Sequence, residues 1–186
     1  MKTLKDAWDW YDGVRQQAKL TKRLAEKHWA ELPWGGTLGR DEFIRDLRPE
    51  QLSAIAAFTT DHLNDLAVLV FFSVFEATVR EAVLAEVKPE VEALRHPSLR
   101  HAAQEACDAI KNGSFFRVLG PFKAGGHADL IEQVHQVRRY RNWVAHGRRG
   151  DPPATVDPEA AYDRLTRFLQ LLGPTTGAGG SPGPAR

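Results

Sequence analysis

Between Glu50 and Val87 the chain offers nothing that breaks a helix, and its apolar residues do not alternate as a half-buried strand requires. A helix of that length and apolarity has to be covered by other elements. Its most apolar run, LAVLVFFSVF from Leu66 to Phe75, is about half of the roughly 20 residues a membrane span needs. The segment therefore predicts the centre of a protein core. Thr59, Thr60 and Asp61 offer a fresh helix start, so one long helix and two shorter ones both fit. No other segment alternates at period two over strand length, and there is no internal repeat. The expected fold class is all-α, a bundle of about five to six helices.

The remaining helices are placed by their caps. Thr3 with Asp6 forms a capping pair that opens a first helix through KDAWDWYDGVRQQAKLTKRLAEKHWAEL, with Leu4, Trp8, Tyr11, Leu20 and Leu24 as its docking stripe. Pro33, Gly35 and Gly36 end it. A short helix in RDEFIRDL precedes Pro49. Pro89 is placed to open the next helix, which Pro97 interrupts and Gly113 stops. Residues 113–126 read as a Gly-rich connector in which Phe115, Phe116 and Phe122 pack inward. A helix over about 127–145 follows, with Gly147 as its C-terminal cap. Asp157 and Pro158 open a last helix ending at Gly173. The expected organisation is one domain over 1–172, with 1–49 a helical extension on a core of 50–172, and a disordered Gly/Pro-rich tail at 173–186.

Several function classes drop out. The net charge of +1 gives no whole-molecule attraction to nucleic acid or anionic membrane, so any such affinity is local. MKTLKDAWDW has no apolar signal region, and a cytoplasmic protein without membrane attachment is expected. The single cysteine, Cys107, reads as a half-buried filler. The 7 histidines give neither H-x-x-x-H nor HExxH spacing, and His96 and His101 read as a surface pair, so no metal site is expected. A phosphate loop and a G-x-S-x-G elbow are both missing. Neither metal nor cofactor is implied.

The segment RRYRNWVAHGRR, Arg138 to Arg149, is different. It concentrates five arginines with no acid before Asp151. On a helical wheel His135, Arg139, Asn142 and His146 share a stripe about 60° wide. Leu130, Val134, Val137 and Val144 form the opposed apolar face, with Arg141 in the middle of it. A guanidinium on a buried face needs a partner, because an unpaired charge out of water costs several kcal/mol. Arg141 therefore either pairs with a buried acid, for which Glu76 in VFEATV is the natural choice, or faces an anion. His146, at the helix end, carries a group that titrates near neutral pH and can both accept and donate a proton. Asn142, one turn earlier, is placed to orient it.

Arg-Asn-x-x-x-His followed by Gly resembles the R-x(4–6)-H signature of the HEPN superfamily, in which a polar residue often follows the arginine. The late helix carrying it and the apolar helix with Phe75-Glu76 also look like that family, over roughly residues 50–172. The resemblance implies a metal-independent endoribonuclease acting as a homodimer, with a toxin or antiviral role and a neutralising partner such as a small nucleotidyltransferase. It implies His146 as general acid–base, Arg141 as stabiliser of the phosphorane charge and Asn142 as the residue that positions both. Arg138, Arg139, Arg148 and Arg149 would track the RNA backbone. Tyr140 and Trp143 fit base stacking less well than packing between the two protomers. The alternative is a non-catalytic HEPN-like module that dimerises or binds nucleotide or protein.

Overall fold

The computed structural model describes residues 1–173, and every regular element among them is helical. In order these are α1 (Leu4–Lys27), α2 (Glu42–Arg45), α3 (Pro49–Ala93), α4 (Pro97–Asn112), α5 (Phe115–Ala124), α6 (Ala128–Ala145) and α7 (Pro158–Leu171), with 3-10 turns at Trp29–Glu31 and Leu38–Arg40. The fold is all-α, as expected. Apart from Gly173, the tail read as disordered lies outside the described residues.

The long unbroken segment is one helix of 45 residues. Thr59 and Thr60 do not cap a new helix, because their hydroxyls donate back to the carbonyls of Ile55 and Ala56 at 2.8 and 2.9 Å. Nor does Pro89 open the next helix, since it lies inside α3. The carbonyl it leaves without a donor belongs to Ala85, which is exposed, so water can take the place of the missing N–H. The break comes at residues 94–96, and Pro97 starts α4 in the first-turn position that suits it. Residues 115–124 are also helical. Gly120 and Pro121 disguise a helical stripe of Phe115, Val118 and Leu119, all three buried. Of the other two phenylalanines expected to pack inward, Phe122 is half-buried and Phe116 is exposed.

The described chain divides into two compact units. The first comprises Met1–Val74 and Gln136–Asp163. Thr3 closes a full capping box with Asp6 and starts α1 on a face of Leu4, Ala7, Tyr11, Ala18 and Ala25. Leu20, expected on that face, is 59% exposed, because true helical period from Tyr11 passes through Ala18 instead. Trp8, Tyr11, Phe71 and Tyr162 form an aromatic cluster, with Trp8 at 4.8 Å from Tyr162 and 6.0 Å from Phe71 by ring centres. The Tyr11 hydroxyl donates to Asn64 Oδ1 at 2.9 Å. The segment set apart as an N-terminal extension thus supplies part of this unit's core.

The second unit comprises Phe75–His135 and the chain from Arg164. Phe75 is its centre, edge-on to Phe115 at 5.8 Å and to Phe168 at 5.5 Å. Phe122 meets Phe168 at 5.2 Å. Arg80 ties α3 to the end of α4, donating to the carbonyls of Ile110 and Gly113, and it also pairs with Glu76 at 2.6 Å.

Phe71 is fully buried, and three aromatic side chains lean on its ring. Phe71→Ala is expected to cost about 3–5 kcal/mol in a urea unfolding titration. A loss below about 1 kcal/mol would mean the cluster does not organise the unit.

Candidate active site

Helix α6 carries the arginine-rich segment. Ile131, Val134, Val137 and Tyr140 are its buried side, while Leu130 and Val144 are only half-covered. The polar stripe drawn on the wheel is shorter than expected. His135 is 6% exposed and its ring stacks on Phe116 at 4.8 Å, so it belongs to the second unit's packing. Asn142 is half-buried, and Arg139 and His146 are exposed.

The helix ends as Gly147 predicts. The N–H of Gly147 donates to the Val144 carbonyl at 3.0 Å and that of Arg148 to the Trp143 carbonyl at 2.8 Å, the paired bonds of a Schellman cap. Gly147 has φ of +72°, which a glycine adopts without penalty. Arg148 follows with φ of +59°, the only non-glycine residue with a positive φ among the described residues. That conformation costs an L-residue about 1–2 kcal/mol, so something must hold it.

What holds it is Asp65. This residue is 8% exposed and stands immediately before α3's most apolar run, Leu66 to Phe75. Its Oδ1 accepts from the Tyr140 hydroxyl at 2.6 Å and its Oδ2 accepts from the Arg148 guanidinium. The same guanidinium lies 5.6 Å over the Trp143 ring. Arg148 was expected to line an RNA groove, and Tyr140 to stack on a base or pack between protomers. Arg148 is instead tied to a buried acid and Tyr140 is core, because the carboxylate needs donors. Burial raises the Tyr140 hydroxyl above its ordinary pKa of 10.0.

Arg141 sits one α3 turn-pair further along. Its guanidinium lies 5.7 Å over the Phe72 ring and donates from Nη1 to Asn142 Oδ1 at 3.1 Å. From Phe72 back to Asp65 is seven residues, and from Arg141 on to Arg148 is seven, so the two segments run antiparallel. Arg141 is half-buried, and its Nε is covered and donates to no acceptor among the described residues. The acid proposed for it, Glu76, gives its Oε1 to Arg80. Asp65 and Glu76 stand eleven residues apart, about 20° on the wheel, so one helical stripe carries both acids and pattern alone does not choose between them.

Asn142 does not orient His146 through its side chain, since its Oδ1 accepts from Arg141; only its backbone carbonyl meets His146, accepting from the amide at 3.0 Å. The His146 ring is exposed and makes no hydrogen bond among the described residues. Arg149 is exposed and Arg138 half-buried. No group of three or more metal-ligating side chains forms among the described residues, Cys107 is half-buried, and no described helix is long and apolar enough to cross a membrane.

Compared with protein-family models, with curated proteins and with solved structures, the chain has no match. Any functional reading therefore rests on the residues themselves.

The Tyr140 hydroxyl gives a pH test. Below pH 10 it is protonated folded and unfolded alike. Above that, the unfolded chain loses the proton first, so this group's stabilisation falls as pH rises through the raised folded value. Tyr140→Phe is expected to lower stability by about 2 kcal/mol at pH 7 and to flatten the alkaline fall in unfolding free energy. An alkaline limb identical to the parent's would show that Tyr140 is not held protonated.

Proposed function

We propose that the chain is a metal-independent endoribonuclease of the HEPN type, working as a toxin or antiviral effector. The observation that carries this reading is the state of Arg141. It is half-buried, yet no carboxylate lies within 4.0 Å of it among the described residues: Asp65 pairs with Arg148, and Glu76 pairs with Arg80. A guanidinium removed from water without an anion is costly, and one supplied by substrate resolves the cost. A phosphodiester matches its fork.

The chemistry follows from the groups. His146 takes the proton from the ribose 2′-hydroxyl, whose oxygen attacks the adjacent phosphorus. The P–O5′ bond breaks, and a protonated imidazole returns a proton to O5′. The products are a 2′,3′-cyclic phosphate and a 5′-hydroxyl, with no metal required. Arg141 stabilises the charge on the non-bridging oxygens, and Asn142 holds Arg141 rather than His146. Arg141 and His146 lie about 140° apart on an ideal helix, which is best reconciled by a homodimer in which each protomer supplies part of one cleft. Arg138, Arg139 and Arg149 would follow the RNA backbone. A neutralising partner, such as a small nucleotidyltransferase, fits a toxin.

One observation favours a second reading, a non-catalytic module that dimerises or binds nucleotide or protein. The His146 ring has nothing to orient it among the described residues, whereas a general base is ordinarily held by a third group.

The test is cleavage of a labelled structured RNA in EDTA. The parent is expected to cut and leave cyclic-phosphate ends, with His146→Ala and Arg141→Ala each lowering kcat/KM by about 10²–10⁴-fold. Equal behaviour of all three proteins, or no cutting, favours the binding module.

A further inference from the structure

Asp65 does more than satisfy its own burial. Tyr140, which donates to its Oδ1, immediately precedes Arg141; Arg148, which donates to its Oδ2, follows His146 by two residues. We infer that Asp65 is a positioning residue for the Arg141–His146 segment, clamping the chain on both sides of it to one point on α3.

The geometry makes the clamp specific. A hydrogen bond to Tyr140 alone would fix the helix but not its end. The Arg148 arm reaches past the Schellman cap and keeps a non-glycine residue in the left-handed region. The turn between Ala145 and Arg148, on which the direction of the His146 ring depends, is therefore held by two main-chain bonds, the carboxylate and the Trp143 ring. Both oxygens of Asp65 accept from this same segment, one from Tyr140 and one from Arg148. The effect on turnover rests on the ribonuclease reading; the clamp itself does not.

The experiment is amide hydrogen exchange by NMR on the full chain, comparing the parent with Asp65→Asn, which keeps an oxygen for Tyr140 while removing the charge, and with Arg148→Ala, whose side chain is 48% exposed. Both variants are expected to speed exchange at Gly147 and Arg148 by about 10-fold or more while amides in α1 keep their parental rates. With RNA, Asp65→Asn is expected to lower kcat by about 10²-fold with KM little changed, and Asp65→Glu to restore part of it. Parental exchange at both amides, or acceleration spread evenly over the chain, would overturn the clamp. Parental kcat in Asp65→Asn, with a parent that cuts RNA, would overturn the positioning role. A parent that cuts no RNA but shows the local acceleration would leave the clamp standing and sink the ribonuclease reading, so the two failures are distinguishable.

Discussion

A carboxylate taken out of water must be met by donors, and the way Asp65 meets this requirement organises the whole end of α6. Its two oxygens collect a phenol from within the helix and a guanidinium from beyond it. With the Arg148 side chain 48% exposed, the pair is weak evidence for added stability, since solvent screens the attraction while Asp65 is desolvated. Its stronger consequence is register. It sets which residues of the arginine-rich segment are committed to the protein's own acids and which are left over. Arg148 is committed, and Arg141, one cation among several in the same short stretch, is left facing an aromatic ring and an amide oxygen.

The helical class was readable from the long segment without breakers, and the starts of α1 and α7 from their capping residues, because those signals act locally; α1 itself stops at Lys27, short of the end expected before Pro33. Thr3, Gly147 and Asp157 behave as their chemistry predicts: Asp157 accepts from the Ala160 amide at 2.9 Å. Punctuation by proline was less readable. A proline stops a helix only where the carbonyl it strands has no other donor, and at Pro89 that carbonyl belongs to an exposed residue. The same logic hid α5, where Gly120 and Pro121 interrupt the eye more than the backbone. Leu20 is exposed because the small residues Ala18 and Ala25, and not the leucine, hold the helical period of the buried face.

The candidate site was half-readable. The segment, its helix end and the position of Arg141 near an apolar face follow from the wheel. The choice of acid did not, because Asp65 and Glu76 share a stripe, and only the packed structure shows which arginine each one takes. Asp65 and Glu76 flank the apolar run Leu66–Phe75, one at each end, so the pattern marks both alike. His135 falls on the polar stripe by its angle on the wheel, yet its ring is buried against Phe116. Asn142 was read as a partner for His146 from spacing alone. The guanidinium beside it is the stronger donor, and the amide oxygen goes there.

The central claim is that Arg141 is held in reserve for a phosphate. The most direct measurement follows its Nε–H signal by NMR while a 2′-O-methyl oligoribonucleotide, which cannot be cleaved by 2′-hydroxyl attack, is titrated into the parent. A saturable shift of that signal is expected, lost progressively as salt is raised, with much weaker RNA binding by Arg141→Ala. An Arg141 signal that stays in place while RNA binds, or equal affinity for the parent and the alanine variant, would contradict it.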